Sequence, residues 1–314
     1  LSNRTLLTPE ILTRILVVWI GVLAIASASV TSAALAIAAH PGTSCSEDGS
    51  SEIEAATSAG ARGEGQAREP AGDTAEEVPV ALQHKEGDFA ATVPVYVHVV
   101  TPDGIEGNVP LSKVREQVHV LTLSFGGAYG GVDTGFSFRL VSADWTVNPD
   151  WYNAGPGSKG EREMKQALHR GGPEALNIYL TTAGIYLGWA YFPSIVKSES
   201  RAYLDGIVVD WKSLPGMGLY PEFDLGFTAT HEAGHWLNLY HTFQGGCNRY
   251  GDYVDDTPPQ RTPSFGCPVG KDTCSDPGQD PIHNYMDYSD DPCYDQFTQG
   301  QAARMQDAWN FWRA

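Results

Sequence analysis

The segment His231-Glu232-Ala233-Gly234-His235-Trp236-Leu237-Asn238-Leu239-Tyr240-His241 constrains this chain more than any other stretch. On an α-helix His231 and His235 lie one turn apart on one face, so both imidazoles can point at a single ion with Glu232 beside it. His241 does not belong on that helix. Six residues past His235 a continuing helix has rotated roughly 600°, and His241 would stand about 15 Å along the axis from His231. Zn–N bonds are only about 2 Å long, so the three histidines share an ion only if the helix stops between His235 and His241. Asn238 lies in that interval, and asparagine is, after glycine, the residue that best tolerates the left-handed backbone of such a stop.

Three neutral imidazoles leave one position on zinc open, which is the arrangement of a catalytic rather than a structural site. Zinc so held activates water and polarises a carbonyl; Glu232 then takes the proton from water and returns it to the leaving amine. The competing reading is a zinc-containing binding or adhesion domain without catalysis. It leaves Glu232 without a use.

The motif runs on through Thr242-Phe243-Gln244-Gly245-Gly246-Cys247. Further on stand Asp256-Thr257-Pro258, Asp272-Thr273-Cys274 and His283-Asn284-Tyr285-Met286-Asp287-Tyr288. Together these segments resemble the pappalysin family of the metzincin clan, in the cytophagalysin-like branch that includes many secreted fungal metalloproteases. The similarity covers roughly residues 92–313.

The resemblance implies a zinc endopeptidase acting on proteins or peptides, with His231, His235 and His241 as ligands and Glu232 as general base. It further implies a Met-turn in which Met286 forms an apolar floor under the histidines. Tyr288, by the same likeness, reaches the zinc or donates a hydrogen bond to the oxyanion. Leu187 to Pro193 resembles the edge strand that pairs with an extended substrate. Relatives bind calcium near the active site, and here Asp252, Asp255, Asp256 and Thr257 offer hard oxygen ligands. His283 is expected to be a structural hydrogen-bonding residue; His98, His119 and His169 lie in separate predicted elements and receive no role.

Cys247, Cys267, Cys274 and Cys293 fall in a stretch rich in Gly, Pro and Asp, and on spacing alone they allow three connectivities. No CxxC pair is present, which argues against zinc ligation. The family likeness implies Cys247 bonded to Cys274 and Cys267 to Cys293, two bridges that replace a missing local core.

A length of 314 residues with 42% hydrophobic side chains suffices for one good-sized domain plus tails. The net charge of -18 without any basic stripe argues against a nucleic-acid backbone as partner. Part of that charge is a tail, since residues 40–90 hold eleven acidic and three basic side chains.

Ile15 to Ala39 carries no charge and follows Arg4 and Arg14; Ile15 to Ile25 has the character of a signal-peptide core, with Ala26-Ser27-Ala28 for cleavage. The same run is long enough to be a membrane anchor instead. The expected organisation is a signal peptide or anchor over 1–39, a disordered pro-region or linker over 40–91, and a metalloprotease domain over 92–314. Cys45, in the pro-region, is either a latency thiolate for the zinc or an ordinary unpaired cysteine. The mature form is expected to be secreted, without stable membrane association.

Within 92–314, β-branched and aromatic runs predict strands at Thr92 to Val100, Phe136 to Val141, Leu176 to Leu180, Leu187 to Pro193 and Gly206 to Asp210. Leu111, Val114, Val118, Leu121 and Phe125 recur at helical spacing and stop at Gly126-Gly127. Ser158 and Glu161 form a capping-box pattern before a short helix, and a last helix starts near Thr298. The expected class is α+β: a metzincin-like zincin domain with a twisted mixed sheet, a zinc-binding active-site helix and a loop-rich, disulfide-stapled C-terminal subdomain.

Overall fold

A computed structural model of the chain describes residues 53–57, by backbone alone, and residues 89–314 apart from 249. The segment expected to be a signal peptide or anchor, residues 1–39, and Cys45 lie outside the described residues. Among the described residues no helix is long and apolar enough to cross a membrane.

Six strands form one sheet: β1 (Ile53–Thr57), β2 (Ala91–Thr101), β3 (Phe136–Val147), β4 (Leu176–Thr181), β5 (Tyr186–Tyr191) and β6 (Ile207–Asp210), in the spatial order β1-β5-β6-β4-β2-β3. β2 runs parallel to β3 and β4, and β4 parallel to β6, whereas β5 is antiparallel to β6 and β1 antiparallel to β5. The sheet is therefore mixed, as expected. Every residue of β4 and β6 is buried, because helices cover both faces, and both strands accordingly are mostly apolar, with Asn177, Thr181 and Asp210 as buried polar exceptions.

The helices are α1 (Leu111–Phe125), α2 (Pro149–Tyr152), α3 (Lys159–Leu168), α4 (Phe227–Trp236) and α5 (Gln299–Ala308). Alternation along the strands builds two cores. Leu176, Ile178, Leu180, Ile207 and Val209 face a cluster with Val118 and Leu121 of α1 and Ala233 and Trp236 of α4. Tyr179, Val208, Trp189 and Tyr191 face Met164 and Leu168 of α3 on the other side.

The described residues of 242–298 contain only short turns and one 3-10 turn, tied by disulfides Cys247–Cys274 and Cys267–Cys293, the pairing that the family likeness implied. The last helix begins as predicted, with Thr298 and Gln301 completing a capping box.

Two details depart from expectation. The stretch 40–91 was expected to be disordered, yet Ile53–Thr57 forms a strand. It pairs along β5 from Ile53 opposite Tyr191 to Thr57 opposite Tyr186. β5 is consequently an interior strand of the described sheet. Glu161 also departs from the capping-box pattern: the Ser158 hydroxyl accepts from Glu161 N at 3.1 Å, but the Glu161 carboxylate turns away. It accepts from Gly157 N at 2.7 Å, Trp189 Nε1 at 2.7 Å and Tyr191 OH at 3.0 Å, and pairs with buried Lys165 at 3.1 Å. α3 is thereby fastened to the face of β5 opposite α4.

Candidate active site

Helix α4 carries His231, Glu232 and His235, all buried. It ends in a Schellman-type stop: Asn238 N donates to His235 O at 2.8 Å, Leu239 N donates to Gly234 O at 2.9 Å, and Asn238 has φ +79°. The chain reverses at Asn238, as the spacing requires, and returns His241 to the end of the helix. The three Nε2 atoms then lie 3.0 Å (His231 to His235), 3.1 Å (His231 to His241) and 3.1 Å (His235 to His241) apart.

Two of the rings are fixed by backbone carbonyls. His231 Nδ1 donates to Tyr285 O at 2.6 Å and His235 Nδ1 to Leu239 O at 2.7 Å. A carbonyl only accepts, so each Nδ1 carries the proton and each Nε2 presents a lone pair to the common centre. Burial pushes the His231 imidazole down to about 4, and burial with the neighbouring rings pushes His235 and His241 well below the ordinary histidine value.

Neutral rings with converging lone pairs repel one another unless a cation sits between them. A tetrahedral zinc with bonds of about 2.0–2.1 Å separates its ligands by about 3.3–3.4 Å, close to the triangle here. The donor set fits zinc.

Glu232 is fully buried on the flank of α4 nearest β5. Gly188 makes that approach possible: a Cβ at 188 would lie 2.9 Å from Glu232 Oε1 and 2.7 Å from Val208 O. Gly234 serves Met286 similarly, since a Cβ at 234 would collide with Met286 Sδ. Met286 is fully buried at the helix that carries the histidines, and its carbonyl accepts from Thr242 N at 3.1 Å. The Tyr288 ring stands 4.8 Å from that of His241 and 5.8 Å from that of His231, and 4.9 Å from Phe243. A pocket beside the histidines is lined by Leu187, Phe227, Thr228, His231, Tyr288 and Asp291.

Sequence reasoning did not find Gly188, Gly234, the bonds from the Glu161 carboxylate to Trp189 and Tyr191, or the carbonyls of Tyr285 and Leu239. The glycines left a trace, each being the one residue without a side chain inside an otherwise well-formed element. The carbonyls left none, because any residue supplies one.

The acidic run expected to hold calcium is dispersed. Asp252 Oδ1 accepts from Val254 N at 3.1 Å and Thr257 Oγ1 at 2.6 Å, while Asp256 accepts from Thr298 Oγ1 at 2.7 Å and Gly300 N at 2.8 Å at the start of α5. Among the described residues, two groups of three metal-ligating side chains converge: the three histidines, and Cys267, His283 and Cys293. In the second group both cysteines are in one disulfide, and His283 Nδ1 donates to Cys293 O at 2.6 Å. His98, fully buried, bonds Asp144 at 2.9 Å and Asn177 at 3.0 Å within the sheet.

Comparison with known proteins gives a consistent picture. Residues 188–310 match the peptidase M43 family model, described as pregnancy-associated plasma protein-A. Extracellular metalloprotease 1 of Coccidioides posadasii is 44% identical over 244 residues, covering 75% of this chain and 84% of the relative. An extracellular metalloprotease of Neurospora crassa is 46% identical over 227 residues, 71% of this chain and 76% of its own length. Among solved structures, mature mirolysin of Tannerella forsythia in complex with a cleaved peptide matches with TM-score 0.58 and 28% identity, over 69% of this chain and 90% of that one. A promirolysin mutant from the same organism matches with TM-score 0.61 and 26% identity, over 73% and 84%.

Proposed function

The chain belongs to the pappalysin family of metalloproteases, and on that footing we propose that it is a secreted zinc endopeptidase whose metal is held by His231, His235 and His241 and whose general base is Glu232. The observation that carries this reading is the convergence of three Nε2 atoms within 3.1 Å of one another beside a buried carboxylate. Secretion is supported by the extracellular relatives and by two disulfides, which persist in oxidising compartments.

Zinc held here supplies a Lewis acid that activates water and polarises the scissile carbonyl. Glu232 accepts the proton of the attacking water and delivers it to the departing amine. Met286 closes the site from below, and Tyr288, packed against two of the ligands, donates to the developing oxyanion. The peptide is held by backbone pairing to the outer edge of β5, whose other edge bonds β6. That edge is taken by Ile53–Thr57. The segment stands where a peptide would pair, which supports a pro-region over 40–91.

Calcium is a subsidiary part of this reading. It rests on Asp252, whose Oδ2 is buried without a hydrogen-bond partner and whose carboxyl is raised to about 7 by burial. A bound cation would satisfy that oxygen.

Glu232→Gln separates this enzyme from a zinc-containing binding domain. The variant should retain its zinc and its melting temperature while casein cleavage falls by about 10³. Near-normal cleavage would remove Glu232 from the mechanism, and zinc binding without cleavage in the wild type would favour the binding domain.

A further inference from the structure

The stop that brings His241 to the metal leaves carbonyls beyond the last helical hydrogen bonds, and two of them are met by cations from the C-terminal end of the chain. Arg304, on α5, donates from Nε to Asn238 O at 2.7 Å. Arg313 lies in the wider helical stretch Trp309–Arg313 that continues α5. It donates to Trp236 O from Nε at 3.2 Å and from an Nη at 2.8 Å. Trp236 is the last residue of α4, and Asn238 is the residue in the left-handed conformation.

Neither contact is a loose surface pairing. Arg313 is buried, its guanidinium lies 3.5 Å from the centroid of the Trp236 ring, and its remaining donors reach Pro173 O at 2.8 Å and both oxygens of Asp205 at 2.9 and 3.0 Å. All five donors of the fork are used, which fixes its orientation. The Arg304 guanidinium sits 5.2 Å from the Tyr240 ring centroid and 5.9 Å from that of Tyr253, so it also touches the residue preceding His241. Positive charge at a helix C-terminus complements the unpaired carbonyls there. The turn itself fixes a second ligand, since the Leu239 carbonyl holds His235 Nδ1 at 2.7 Å.

We propose that Arg304 and Arg313 are positioning residues for the metal centre: they hold the helix stop at Trp236–Asn238 so that His241 and His235 are pre-set around the ion. They touch no reacting atom. Their effect is on how tightly zinc is kept rather than on the chemistry of zinc-saturated enzyme, because a ligand already in place costs less ordering when the ion binds. This inference rests on the reading of the three histidines as zinc ligands.

Arg304 is the residue to change, since it is half-buried and its replacement leaves the Asp205–Arg313 pair intact. Arg304→Met keeps most of the side-chain packing and removes the donor and the charge. Competition for zinc against a chromophoric chelator should show the zinc Kd of this variant raised about tenfold. The kcat at saturating zinc should stay within about threefold of wild type. Arg304→Lys, which restores a cationic donor, should recover part of the affinity.

An unchanged zinc Kd in Arg304→Met would overturn the proposal, and so would a loss of kcat at saturating zinc with affinity intact. The underlying site is tested separately in the same assay. Wild-type zinc binding that is indifferent to His241→Ala would refute the ligand set, whatever Arg304 does.

Discussion

Asn238 carries more of the site than its side chain suggests. Its φ of +79° is what allows an HExxH helix to end in time for His241 to return, and it is 4% exposed. Asn238→Gly should therefore leave zinc content unchanged, whereas Asn238→Val should cost about 1–2 kcal/mol in unfolding free energy and loosen the metal. Retention of full stability and zinc in the valine variant would show that the turn is held without regard to that residue. The convergence of the three histidines and the need for a stop were legible because spacing on a helix is rigid geometry. Gly188 was not, since what matters there is how close Glu232 comes from another part of the chain, and no local pattern encodes that distance. Glu161 was half legible: its place three residues after Ser158 marked the start of α3, but its carboxylate serves Trp189 and Tyr191, which lie far along the sequence.

Strands and helices with strong periodicity emerged close to where pattern placed them. α1 occupies 111–125, and β4 and β6 match their apolar runs to within a residue. β3 extends to Val147, well past the clean alternation that ends at Val141, because it is an outer strand whose later residues face solvent and need not alternate. β1 was hidden for a different reason: a short segment in a polar, acidic stretch forms a strand only because β5 offers it a template. That pairing has a kinetic consequence. With β5 as the proposed substrate edge, a tethered strand there competes with substrate at a high effective concentration, so removal of residues up to 88 should raise kcat/KM on casein by about tenfold or more. Equal activity of full-length and trimmed protein would mean that β1 does not obstruct the substrate edge.

The molecule joins a sheet whose central strands are buried on both faces to a loop-rich region held by two disulfides. Asp252 in that region should make stability depend on pH. Burial raises its carboxyl from 3.8 to about 7, so between those values the folded state holds a proton that the unfolded state has lost. Its contribution is present below the unfolded value and is lost as pH rises through 7. From pH 5 to 8 without calcium, wild type should lose ~2–3 kcal/mol relative to Asp252→Asn in urea unfolding. Calcium should restore that loss in wild type alone; parallel pH profiles for the two proteins would exclude Asp252 as the titrating group.

The arrangement of three imidazoles around one ion is open to direct observation by X-ray absorption at the zinc edge, recorded on the zinc-loaded wild-type protein. Three imidazole nitrogens at about 2.0–2.1 Å with no sulfur is the spectrum expected from His231, His235 and His241. A sulfur shell at about 2.3 Å, or fewer than three imidazoles, would contradict that site.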